Sequence, residues 1–101
     1  MEELRSSVRF PLKLPIEVKE DIDTQHQVET QDISAGGVLF RADHDMAVGS
    51  AVEFTINMPA AVLGTPTNVR VHCMGRVVRS QPDDGHRAVA VVIDEYQFER
   101  I

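Results

Sequence analysis

Leu12, Leu14, Ile16 and Val18 alternate with Lys13, Pro15, Glu17 and Lys19, a period of two that gives a strand one dry and one wet face. Pro15 cannot donate to a ladder, so it marks an edge position or the strand's beginning. A charged turn over residues 20–24 lets residues 27–33 return antiparallel. Residues 38–41 form a short apolar run, and residues 42–50, with Asp43, His44, Asp45 and Gly49, read as a polar connection. Val52, Phe54, Ile56 and Met58 then alternate with Glu53, Thr55 and Asn57, the clearest strand pattern in the chain. Residues 59–68 contain Pro59, Gly64 and Pro66 and predict a loop, with a short helical turn over residues 60–63.

Val69, Val71, Cys73, Gly75 and Val77 form one face of a long strand whose other face carries Arg70, His72, Met74 and Arg76. Gly75 suits a bulge that bends it. Gln81-Pro82-Asp83-Asp84-Gly85 is a hairpin turn signal. Residues 88–93 are apolar on both faces, which predicts a central strand or one that closes a barrel. Residues 94–101 are expected to end the chain in a helical turn or two. Strands at this spacing with no helical periodicity between them predict an antiparallel barrel or sandwich. No internal repeat or low-complexity segment interrupts them.

A chain of 101 residues predicts one domain able to bury a core without metals or disulfides. Ten Lys and Arg against sixteen Asp and Glu, a net charge of -6, argue against indiscriminate binding to a nucleic-acid duplex or an anionic membrane. Any anionic ligand must be held locally. The single cysteine, Cys73, cannot form an internal disulfide and suits a buried thiol in a reducing cytosol. No export signal or bilayer-length apolar stretch is visible, so the expected location is cytoplasmic, without membrane insertion.

The chemistry concentrates at two places. In Asp32-Ile33-Ser34-Ala35-Gly36-Gly37, short side-chain acceptors can fix a tight turn, while glycine permits positive φ and close backbone approach. Near the start stands Arg5-Ser6-Ser7-Val8-Arg9. This pair of motifs, in this order and one hairpin apart, resembles the R-x-x-x-R and [D/N]-x-S-x-x-G signature of the PilZ domain family. The resemblance extends to the first strand, the middle strand and the last hairpin, and so covers most of the chain.

The resemblance implies a six-stranded antiparallel β-barrel, all-β apart from at most a short C-terminal helical turn, that binds the bacterial second messenger cyclic di-GMP as a ligand. Residues 1–13 are polar with few hydrophobics and read as an exposed arm, so the expected division is a flexible ligand-binding arm over residues 1–13, a barrel over 14–93 and a C-terminal turn over 94–101. The implied site residues are Arg5, Arg9, Asp32, Ser34, Gly36 and Gly37. Their chemistry suits that ligand. A guanidinium can clamp a phosphate, pair with guanine O6 and N7, or stack on a purine. Asp32 can accept from the guanine N1–H and N2–H₂ edge, Ser34 can add a hydroxyl, and Gly37 lets a ligand approach the backbone. The structural alternatives are solvated arginines on a loose arm, and Asp32, Ser34 and Gly37 serving turn geometry alone. Leu4 stands where many relatives carry another Arg, which predicts one bound ligand rather than an intercalated pair.

Other residues carry less. His26, His44, His72 and His86 are scattered, and His72 and Cys73 point to opposite faces of one strand, so no metal site is expected. Asp43-His44-Asp45 reads as a polar turn. No nucleophile sits in a catalytic motif and no P-loop is present, so no enzyme and no cofactor are expected. The favoured reading is a sensor whose arm, mobile when empty, closes over the nucleotide and signals to an unidentified effector protein. The alternative is a PilZ-like protein-interaction module that binds no nucleotide, marked by an exposed apolar patch. A barrel for single-stranded nucleic acid needs a basic groove with aromatic platforms, which this acidic chain without Trp does not supply.

Overall fold

In a computed structural model of the chain, which describes residues 11–20, 24–34 and 36–100 and gives only the backbone at 62, 63 and 100, six antiparallel strands close into a barrel. They are β1 (Pro15–Lys19), β2 (Gln25–Ser34), β3 (Gly37–Ala42), β4 (Ala51–Met58), β5 (Val69–Asp83) and β6 (His86–Arg100). The order around the barrel is β1-β2-β3-β6-β5-β4, closed where Val18 of β1 lies opposite Phe54 of β4. One turn of helix, α1 (Ala60–Leu63), joins β4 to β5 and stops at Gly64, whose φ of 72° is left-handed. The β5–β6 hairpin turns through Asp84 (φ 54°) and Gly85 (φ 84°), the positive-φ pair of a type I′ turn.

The alternation read from the sequence becomes the barrel's inside. Ile16 and Val18, Val52, Phe54, Ile56 and Met58, and Cys73 and Val77 are all buried, with Val28, Ile33, Val38, Phe40, Val89 and Val91 completing the core. The ladder begins at Pro15, although Leu12 and Leu14 already pack against the core from the preceding segment. Met46, in the polar connection, is 1% exposed. Its connection is tied back by Gly49 N–H donating to Val77 O (2.7 Å) and Val77 N–H donating to Ser50 O (3.0 Å).

The C-terminal helical turn expected over residues 94–101 is corrected: through Arg100 the chain continues β6. The first half of β5 needs a partner on the edge away from β4, and β6 supplies it from Met74 opposite Glu95 to Val69 opposite Arg100. An isolated one- or two-turn helix has no comparable source of backbone hydrogen bonds.

Three irregularities decide which side chains face outward. On β2, Thr30 pairs with Phe40 but Asp32 with Leu39, so Gln31 is an extra residue. On β5, Val77 pairs with Val91 but Arg79 with Ala90, so Val78 is extra. On β6, Ile93 pairs with Gly75 but Glu95 with Met74, so Asp94 is extra and the bulge expected at Gly75 lies opposite it. Each added residue reverses the inside–outside parity of the rest of its strand.

Candidate functional site

Val28 and Thr30 point into the barrel, and unbroken alternation would send Asp32 and Ser34 after them. The bulge at Gln31 instead buries Ile33 and turns Asp32 and Ser34 to the outer face. Antiparallel register then sets two transverse rows across four strands. One runs Asp32, Leu39, Ala90, Arg79, and the other Ser34, Gly37, Val92, Arg76. A shallow groove of about 400 Å³ follows the first row and the second as far as Val92, lined by Asp32, Ser34, Gly36, Gly37, Leu39, Val78, Arg79, Ala90 and Val92. Its middle is apolar, at Leu39, Ala90 and Val92, with Asp32 and Ser34 on the β2 side and Val78 and Arg79 on the β5 side. The structure thus brings together four of the six site residues inferred from sequence. Arg5 and Arg9 lie outside the described residues.

The turn itself is explained in part by the fold alone. Ser34 Oγ donates to Gly37 O at 3.3 Å, and Ile93 N–H donates to Gly36 O at 3.0 Å, fastening the turn to β6. Neither Gly36 nor Gly37 has positive φ; Gly49, Gly64 and Gly85 do. A Cβ on Gly37 would stand 2.6 Å from Val91 O, whereas one on Gly36 meets nothing within 4 Å. The close approach read at Gly37 is therefore made by β6. Gly37 thus has a reason within the fold to be glycine.

Thr30 is a residue the sequence reading missed. It is fully buried, yet its hydroxyl accepts from Leu14 N–H (2.8 Å) and donates to Leu12 O (2.6 Å), while Thr30 N–H donates to Leu14 O (2.9 Å). These bonds hold residues 12–14, the end of the N-terminal segment, against β2 two residues from Asp32. A Thr at an inward position after Val28 was the available signal. Arg79 was also missed, because a Val-Val-Arg run carries no period that reveals an inserted residue.

Several other titratable groups find structural partners. His26 pairs with Glu20 (3.0 Å) and His86 with Asp43 (2.9 Å), and Asp45 receives Arg87 (3.2 Å) and Ser80 (2.9 Å), which accounts for the Asp43–Asp45 cluster as loop anchoring. Thr55 Oγ1, His72 and Glu53 form a relay of 2.9 and 2.7 Å. His72 and Glu53 are 38% and 45% exposed, unlike the water-excluded setting in which a catalytic relay operates. Arg76 clamps Asp94 through two 3.0 Å bonds, and that hydrogen bonding holds the Asp94 carboxyl below its usual range. Burial pushes the Cys73 thiol up to about 11. Among the described residues no group of three His, Cys, Asp or Glu could hold a metal ion, and no helix is long and apolar enough to cross a membrane.

Comparison with known proteins bears on the whole chain. The family model described as PilZ domain matches residues 3–101. Among solved structures, the Bacillus subtilis inhibitor of motility (MotI/DgrA) superposes with a TM-score of 0.76 at 18% identity, over 92% of this chain and 44% of that protein. The likeness is one of fold, and this chain spans less than half the neighbour's length. No curated protein matches.

Proposed function

The chain belongs to the PilZ domain family, and on that premise we propose that it is a cyclic di-GMP receptor of the adaptor type, a binding module and not an enzyme. Cyclic di-GMP is the family's ligand rather than a cofactor. The observation that carries the reading is the outward pair Asp32 and Ser34, turned by the Gln31 bulge onto one rim of a groove with an apolar floor. A guanine lies flat on Leu39 and Ala90 and presents its N1–H and N2–H₂ edge to Asp32. Arg5 and Arg9 supply guanidinium groups to the phosphates or to guanine O6 and N7. The ligand then joins the N-terminal segment to the barrel, an equilibrium shifted only by its differential affinity for the joined arrangement. Leu4 limits the complex to one ligand per chain.

The ligand-independent interaction module is kept as a second reading by one observation. Tyr96 and Phe98 are 48% and 65% exposed and meet edge to face at 5.3 Å, beyond the point where β3 stops pairing with β6 at Val92. Among the described residues no strand pairs with that edge, which offers backbone groups and apolar area to a protein partner. In the receptor reading the same surface suits the effector.

Titration calorimetry with cyclic di-GMP, with GTP as control, tests the choice. Selective binding at micromolar affinity or tighter, with one ligand per chain and a ten- to hundredfold loss in Arg5→Ala from one charge-assisted bond of about 1.5–3 kcal/mol, is expected. Absence of binding would move the assignment to the interaction module, and a stoichiometry of two would refute the role given to Leu4.

A further inference from the structure

Arg79 stands apart from the other arginines whose side chains are described. Arg41 lies 3.9 Å from Asp83, Arg70 3.5 Å from Glu99, Arg76 3.0 Å from Asp94 and Arg87 3.2 Å from Asp45. Among the described residues Arg79 has no hydrogen bond or carboxylate partner, in a chain with sixteen Asp and Glu against ten Lys and Arg. Its direction is also set by an irregularity. Cys73, Gly75 and Val77 point inward, so unbroken alternation would bury Arg79. The Val78 bulge places it opposite Ala90 on the outer face instead. Two separate bulges, on β2 and β5, thus deliver Asp32 and Arg79 to opposite ends of one transverse row, and both line the same groove.

Three strand spacings of about 4.8 Å separate the ends of that row, roughly 14 Å along the sheet. A single base at Asp32 does not extend across it, whereas a ligand with two bases and two phosphates does. We propose that Arg79 is a third, barrel-borne guanidinium of the nucleotide site, contacting the half of the ligand that Asp32 does not reach and selecting dinucleotides over mononucleotides. This rests on the receptor reading. Leu39 and Ala90 form the floor between the two ends, so the ligand lies across β2, β3, β6 and β5 instead of along one strand. The guanidinium meets it by stacking on the second purine or by a forked contact with a phosphate, two geometries a lysine reproduces poorly.

The test is calorimetric titration of the full chain with cyclic di-GMP and with GMP, in wild type, Arg79→Ala, Arg79→Lys, and Arg41→Ala as a control one row away. Arg79→Ala is expected to bind cyclic di-GMP ten- to a hundredfold more weakly, with Arg79→Lys between it and wild type. Arg41→Ala should stay within about twofold of wild type, because its charge is engaged by Asp83 outside the groove. The preference for cyclic di-GMP over GMP should shrink in Arg79→Ala. Wild-type affinity in both Arg79 variants would overturn the role of Arg79 and leave the receptor reading standing. An equal loss in Arg41→Ala would reduce Arg79 to general electrostatics and overturn its assignment. No binding by wild type would overturn both. Thermal unfolding of each variant, expected to match wild type for an exposed arginine, separates lost contact from lost fold.

Discussion

Replacing Thr30 with Val keeps the shape of a fully buried side chain but deletes the hydroxyl that accepts from Leu14 N–H and donates to Leu12 O. Two hydrogen bonds at a net of about 0.5–1.5 kcal/mol each amount to about 1–3 kcal/mol. The methyl that replaces the hydroxyl returns roughly 0.8 kcal/mol of apolar burial at most. Leu12 and Leu14 are only partly buried, so water reaches part of what is left unpaired and holds the loss to about 1–2 kcal/mol. For a domain of this size that lowers the melting temperature by roughly 5–15 °C. Circular dichroism measures the melting shift, and amide hydrogen exchange locates it. Leu14 N–H should lose protection while Thr30 N–H, bonded to Leu14 O, retains most of its own. Cyclic di-GMP binding should weaken with Asp32 intact, because residues 12–14 connect the arginine motif to β2. An unchanged melting temperature with Leu14 still protected would refute the idea that Thr30 fastens this segment.

Three other outcomes are expected from the geometry. Gly37→Ala forces a Cβ against Val91 O and should destabilise the ligand-free protein by about 1–3 kcal/mol, while Gly36→Ala changes stability by less than about 0.5 kcal/mol; equal denaturation midpoints would return Gly37 to a purely ligand-facing role. Burial raises the Cys73 thiol from 9.0 to about 11, so its contribution is complete below pH 9 and lost as pH climbs to 11, where the unfolded chain gives up its proton first. Cys73→Ala should therefore flatten wild type's alkaline loss of stability over that window, and identical pH profiles would contradict it. On the acid side, Arg76 holds the Asp94 carboxyl low, so the pair's contribution is present at neutral pH and fades on acidification; Arg76→Gln should weaken that dependence in acid titrations, and an unchanged profile would count against it.

Much of the barrel was legible because its strands are wet on one side. β1, β4 and the first half of β5 could be read from alternation, and the last hairpin from Asp84-Gly85. The bulges were hidden at Gln31 and Val78, because one inserted residue reverses parity without changing composition. The outward direction of Asp32 and Ser34, and the presence of Arg79 beside them, depend on those insertions. The end of β6 did carry a signal, Tyr96 and Phe98 alternating with Glu95, Gln97 and Glu99, but polar flanks masked it. At Gly37 the sequence could announce a close approach without telling from which side, and the neighbour is the backbone of β6. Met46 is buried because a loop folds back, a tertiary event with no local period.

The receptor account is tested most directly by amide chemical-shift mapping of the isotopically labelled chain during titration with cyclic di-GMP. The account predicts saturable shifts at Asp32, Ser34, Gly36, Gly37, Leu39 and Ala90, together with shifts at Arg5 and Arg9, all on one binding curve. Shifts confined to Tyr96, Phe98 and their neighbours, or none at saturating ligand, would contradict it.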